Sequence, residues 1–271
     1  MYSFSRTNRV LGYTDAFYVY SNDERTVLGY ILQTGNSTPK YVSCVQDDVD
    51  ISKEVVEEFT DYARTGDYLL GANLLAYTAD PKVLYDTLLV SCLIRRGTTH
   101  NIQAVISWLE STDFYIAPST TRGLDTVPGG LLQHSLKCAT IAGALWRAGM
   151  IPEELLASTV LCALIHDWWK INRYVGYTVF SGTAESTQKY SLDNYGTLLP
   201  TGTSTLYLAQ KHVGFISEEE AQALVYAEGM WRCHDSEKDA MMQAMISNPL
   251  VIAVQTAETA SYSNEIIKHI K

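Results

Sequence analysis

Two rhythms of apolar and polar residues divide this chain. Over the first fifty residues the runs Phe17-Tyr18-Val19-Tyr20, Val27-Leu28-Gly29-Tyr30-Ile31-Leu32 and Tyr41-Val42-Ser43-Cys44-Val45 are aromatic and β-branched. Ser21-Asn22-Asp23 and Gly35-Asn36-Ser37-Thr38-Pro39 punctuate them as turns, so a small antiparallel sheet or meander is predicted. From residue 52 the apolar spacing turns helical, with helices predicted over 52–65, 81–95, 100–111, 131–148, 153–170, 204–212, 218–230, 236–246 and 249–263. Asp80-Pro81 and Asn248-Pro249 each pair an N-capping side chain with a proline at the first helical position, and Ser217-Glu218-Glu219-Glu220 has the form of a capping box. The stretch 172–203 is rich in Gly, Ser, Thr and Tyr and reads as a long insertion loop with short strands, the kind that serves as a lid over a pocket. The expected organisation is a β-rich region 1–50, a helical linker region 51–97 and a helical domain 98–271, a mainly α fold with a small N-terminal β-sheet element.

Bulk composition excludes some classes. The chain has 271 residues, 46% hydrophobic and 18% charged, as ordinary globular proteins do. No run of 18 apolar residues is present, and Met1-Tyr2-Ser3-Phe4-Ser5-Arg6 lacks the apolar centre of a signal peptide. The five cysteines form no CxxC pair; they read as reduced thiols of a cytoplasmic protein, which excludes a zinc ribbon. A formal net charge of −10 argues against nucleic acid or a membrane surface as partner, because a long phosphate backbone asks for a basic face. It leaves a small-molecule nucleotide open, since a metal and a few cations such as Lys170, Arg173, Lys137 or Arg147 can neutralise one locally.

The chemistry concentrates in two segments. Pro128-Gly129-Gly130-Leu131-Leu132-Gln133-His134-Ser135 opens one predicted helix, on which His134 shares a face with Leu131, Cys138, Ile141 and Leu145. Leu161-Cys162-Ala163-Leu164-Ile165-His166-Asp167-Trp168-Trp169-Lys170 ends the next, with His166 on the face of Thr159, Cys162 and Ala163. A buried His-Asp pair costs desolvation unless it is partnered, and a divalent metal suits imidazole and carboxylate together. A lone inward histidine is usually a hydrogen-bonded core residue; three such groups with Lys170 one turn on point instead to a site. Glu258, on the inward face of Val251 and Val254, is a further ligand candidate.

The chain resembles the HD-domain superfamily of metal-dependent phosphohydrolases, whose signature is His, then His-Asp, then a distant Asp on a late helix. More closely it is similar to a bacterial and phage branch of small HD proteins. Ser111-Thr112-Asp113-Phe114-Tyr115-Ile116-Ala117-Pro118-Ser119-Thr120-Thr121-Arg122, Gly129 to Ser135, and His166-Asp167-Trp168-Trp169-Lys170-Ile171-Asn172-Arg173-Tyr174 carry the likeness, which runs from about residue 100 to 263. It implies an HD-domain helical bundle with one divalent metal ion (Mn, Fe, Mg, Zn or Co) on His134, His166, Asp167 and Glu258, the last standing where the family has Asp. It also implies a metal-dependent phosphohydrolase acting on a nucleotide or related phosphate ester, with Asp167 and Lys170 catalytic and Lys170 and Arg122 binding the phosphate. Three histidines of that branch are replaced here by Leu124, Thr203 and Ala227. A catalytically degenerate HD protein that binds a nucleotide or a protein, and an HD-type 3′ nuclease, therefore stand as alternatives. A homo-oligomer is left open.

Overall fold

The structure, a computed structural model, describes residues 3–6, 15–20, 27–33, 40–43, 80–98, 102–121, 126–180, 186–193, 199–229 and 233–263. The chain divides into two compact units, Met1–Tyr68 and Leu69–Lys271. The second therefore begins inside the stretch 51–97 expected as a linker. The helix expected over 52–65 lies outside the described residues.

In the first unit β1 (Ser3–Arg6), β2 (Asp15–Tyr20), β3 (Val27–Gln33) and β4 (Lys40–Ser43) form an antiparallel meander in chain order. Tyr18 stands opposite Ser5 and Tyr30, and Tyr30 opposite Val42. The aromatic runs of the sequence are these strands.

The second unit is mainly helical: α1 (Pro81–Arg95), α2 (Ile102–Glu110), α3 (Gly130–Arg147), α4 (Leu156–Ile165), α5 (Thr201–His212), α6 (Glu218–Val225), α7 (Lys238–Ser247) and α8 (Pro249–Ser261). Its one described sheet is the antiparallel hairpin of β5 (Tyr174–Phe180) and β6 (Ser186–Leu192), which occupies the stretch expected as an insertion. The caps form as the sequence implies. Asp80 accepts from Lys82 N at 2.8 Å, Asn248 from Leu250 N at 3.0 Å, and Ser217 and Glu220 bond each other's backbone.

Helix α4 is apolar on every side, so it can only be stable when wrapped. All its residues except Ser158 are buried, and α1, α3, α6 and α8 pack around it. Two glycines permit the close approaches that hold this bundle. Gly129, at φ 77°, caps α3 in a left-handed conformation and lets its N–H reach Ile116 O at 2.9 Å. A Cβ on Gly202 would fall on the backbone of Val225, so α5 and α6 touch main chain to main chain there. No helix among the described residues is long and apolar enough to cross a membrane.

The expected helix over 153–170 is broken. A 3₁₀ turn covers Glu153–Leu155, α4 stops at Ile165, and a second 3₁₀ turn covers Trp168–Lys170. The break has a packing cause. Trp168 and Trp169 are both buried. The turn at Asp167 (φ −101°, ψ 13°) drives Trp168 between Trp108 and Tyr85, whose hydroxyl takes its indole N–H at 3.0 Å. The His166 carbonyl, left without a helical partner, accepts from Thr205 Oγ1 at 2.8 Å.

Candidate metal centre

The break at the end of α4 sets His166 and Asp167 at a point that α3 and α8 also reach. His134, one turn into α3, is fully buried there, and Glu258 arrives from α8. His134 Nε2 lies 3.3 Å from His166 Nε2, and the two nitrogens lie 2.7 and 2.9 Å from Glu258 Oε2.

The opposite ring nitrogens fix how these histidines are protonated. His166 Nδ1 donates to Ala163 O at 2.9 Å. The Ser261 hydroxyl donates to Glu258 O at 2.7 Å, so its oxygen is free to accept from His134 Nδ1 at 3.3 Å. With the Nδ1 protons held outward, both Nε2 atoms face the same centre, where they hydrogen-bond Glu258 and where an ion that displaced their protons would find two ligands in the outer-shell arrangement of metal-ligating histidines.

Asp167 stands beside them. Its Oδ2 bonds Lys170 Nζ and lies 3.3 Å from His134 Nε2 and 3.6 Å from His166 Nε2; its Oδ1 accepts from the Trp169 indole at 3.2 Å. Two buried carboxylates therefore face one buried ammonium, and the two imidazoles answer the remaining negative charge by holding protons. Burial alone would lower both imidazolium pKa values. Cys138, Glu258 and Asp167 outweigh it at His134, which is raised well above its usual value, and Asp167 and Glu258 raise His166 to about 9. Burial would raise the carboxyls, but Lys170 and His166 hold Asp167 below the usual carboxylate range, and the two histidines do the same for Glu258. Burial likewise opposes the Lys170 charge, and Asp167 more than restores it.

A divalent ion could take the place of those imidazolium protons, and the separation of the two ring nitrogens suits one. Four buried side chains, His134, Cys138, His166 and Glu258, each offer a donor atom, all within 4.8 Å of one another, and this group could hold a metal ion. A tetrahedral ion with imidazole ligands at about 2.0–2.1 Å sets their nitrogens roughly 3.4 Å apart. The observed separation is 3.3 Å. Cys138 was read in the sequence as a core position. The signal was present, since His134 and Cys138 stand at i and i+4 and so share a helical face.

The centre borders a cavity of about 260 Å³, whose walls include Ser119, Trp169, Lys170, Tyr174, Glu258 and Tyr262. The Ser119 hydroxyl is fully buried and has no hydrogen-bond partner among the described residues. Tyr174, at the root of the hairpin, donates to Ser119 O at 2.8 Å. Asp113 and Asn172 clasp each other: Asn172 N donates to Asp113 Oδ1 at 2.6 Å and Asp113 N to Asn172 Oδ1 at 3.2 Å. That clasp ties the segment before the cavity to the one after the His-Asp step.

Other expected positions lie elsewhere. Arg122 and Leu124 are outside the described residues. Thr203 borders a separate cavity of about 40 Å³, and Ala227 is buried. His212 ends α5 stacked on Trp108, ring centroids 3.7 Å apart, and His234 caps the turn that leads into α7. No profile of a protein family, curated protein or solved structure matches this chain, so the reading of the centre rests on its own geometry.

Proposed function

We propose that the Leu69–Lys271 unit is a metal-dependent phosphohydrolase acting on a nucleotide or related phosphate ester, the activity that the HD-domain resemblance implies. The observation that carries the reading is the convergence of two outward-protonated imidazoles on a shared carboxylate, buried at the wall of a polar cavity. His134, His166 and Glu258 would hold the ion, with Cys138 and Asp167 within reach. Lewis-acid assistance and a water made nucleophilic at neutral pH are what such an ion supplies.

The chain's own groups do the rest. Lys170 lines the cavity with its charge preserved by Asp167, and so offers an ammonium to a phosphate oxygen. The Ser119 hydroxyl has a donor to give to another. Asp167, kept ionised, accepts hydrogen bonds only, which suits it to orient an attacking water. Trp169 holds its other oxygen and fixes the carboxylate plane.

The test is phosphate release from a panel of nucleoside phosphates by the protein loaded in turn with Mn(II), Co(II) and Zn(II). Release that falls by about 10²–10⁴ in Asp167→Asn, the range for a positioned acid–base group, is the expected result. Wild-type protein no faster than that variant on every substrate overturns the reading. A second reading, a nucleotide-binding module without turnover, is favoured by one observation. Where the family branch places two histidines, Thr203 lines a different cavity and Ala227 is buried in the core. It predicts saturable nucleotide binding in the same samples with no phosphate released.

A further inference from the structure

The sulfur of Cys138 is the part of this centre that the HD resemblance does not explain. It sits one helical turn beyond His134, buried, with Sγ 3.7 Å from His134 Nε2 and 3.7 Å from Glu258 Oε2. Among the described residues those two are its only polar partners, and both belong to the donor group itself. A tetrahedral ion bonded to sulfur at about 2.3 Å and to nitrogen at about 2.0–2.1 Å holds the two donors roughly 3.6 Å apart. The thiol thus stands at ligand spacing from a nitrogen and an oxygen at once.

Asp167 offers a contrast. Each of its oxygens already accepts a hydrogen bond, Oδ2 from Lys170 and Oδ1 from Trp169, while Oδ2 also lies 3.3 and 3.6 Å from the two histidine nitrogens. An ion bound to Asp167 would share the negative charge that holds the buried Lys170 ammonium, and a buried ammonium with a weakened partner is costly. Cys138 gives up nothing of that kind.

We propose that the centre is a zinc site in which the Cys138 thiolate is a direct ligand, with His134, His166 and Glu258, while Asp167 remains an outer residue bonded to Lys170. This rests on the reading that the cluster holds a metal. The thiol proton leaves to solvent as the metal–sulfur bond forms, which makes binding release a proton. A sulfur donor selects against Mg(II) and Mn(II), which prefer oxygen, and favours Zn(II) among the candidate ions.

Cobalt(II) titrated into the full-length apo-protein separates the claims, because its visible d–d bands report tetrahedral binding and a near-ultraviolet charge-transfer band reports sulfur ligation. The expected result is both bands in the wild type, with the charge-transfer band abolished and the d–d bands retained in Cys138→Ser. Visible bands without charge transfer in the wild type would leave a metal centre and overturn the cysteine ligand. No cobalt bands at all would overturn the metal reading, and the cysteine ligand with it. If Cys138→Ser does not fold, zinc X-ray absorption on the wild type decides alone: one sulfur at about 2.3 Å supports the proposal, and a shell of nitrogen and oxygen only overturns it.

Discussion

Among the described residues of the helical unit two places bury charge, and they differ in what they do with it. At one, Arg96 after α1 meets Glu220 of α6. The pair is matched one to one, Glu220 also accepts from Ser217 N, and Arg96 also reaches Phe215 O. At the other, Asp167 and Glu258 face Lys170 and two imidazoles whose Nε2 atoms converge, and the group opens on a cavity. The first is closed, with its charge cancelled by the chain alone. The second balances its carboxylates with Lys170 and with protons on two histidines, which an ion could displace. Burial of charge does not by itself indicate chemistry; charge held by displaceable protons beside a space that a ligand can enter is the stronger sign.

The comparison makes predictions of graded size. Glu220→Ala leaves the Arg96 guanidinium buried without its partner and is expected to cost about 3–5 kcal/mol of stability, read by urea unfolding, while zinc content stays unchanged. Zinc loss in that variant at native temperature would break the distinction. Next in size is the effect of the proposed metal. At a hundred times its dissociation constant an ion bound only to the native state adds about 2.7 kcal/mol. That stabilisation is expected as a rise in Tm on adding Zn(II) to apo-protein. The rise should vanish in Glu258→Gln; a rise of equal size there would remove Glu258 from the ligands.

A smaller effect is expected from Asp113→Ala, which deletes one half of the clasp with Asn172. About 1 kcal/mol of stability should go, and nucleotide affinity should weaken while Zn(II) affinity holds. A fall in zinc affinity instead would show that the clasp supports the ligands and not the cavity. The smallest effect concerns His212. Burial against Trp108, and then Lys211, lower its pKa, so the folded state prefers the neutral ring. Its contribution is present above the ordinary histidine pKa and is lost as pH falls through the depressed value. Tm should therefore drop slightly less on acidification in His212→Gln than in the wild type. An identical acid slope in both proteins would count against the stack as a pH-dependent contact.

Local rules carried much of the fold. Capping side chains at Asp80, Ser217 and Asn248 marked helix starts to the residue, because a cap is a contact within three positions. The inward faces of His134 and Glu258 followed from helical period alone. The break after Ile165 did not, because an apolar run has the same pattern whether it continues or turns, and the cause lies in Trp108 and Tyr85, far off in sequence. The strands expected within 172–203 form the hairpin of β5 and β6, but turn-forming residues, with Gly176 inside its first strand, left their bounds and pairing unmarked. Cys138 was passed over because a thiol on an apolar face looks like a small hydrophobe until its neighbours are known.

Helix α4, wrapped by four others, has one more consequence. Its amides can meet solvent only when the packing around it comes apart, so their hydrogen–deuterium exchange reports the opening of the whole unit rather than local fraying. The ring of His166 leans on the last turn of that same helix through Ala163. The candidate centre is thereby tied to a helix that local fraying does not reach, and an ion bound there is expected to slow exchange in the last turn of α4.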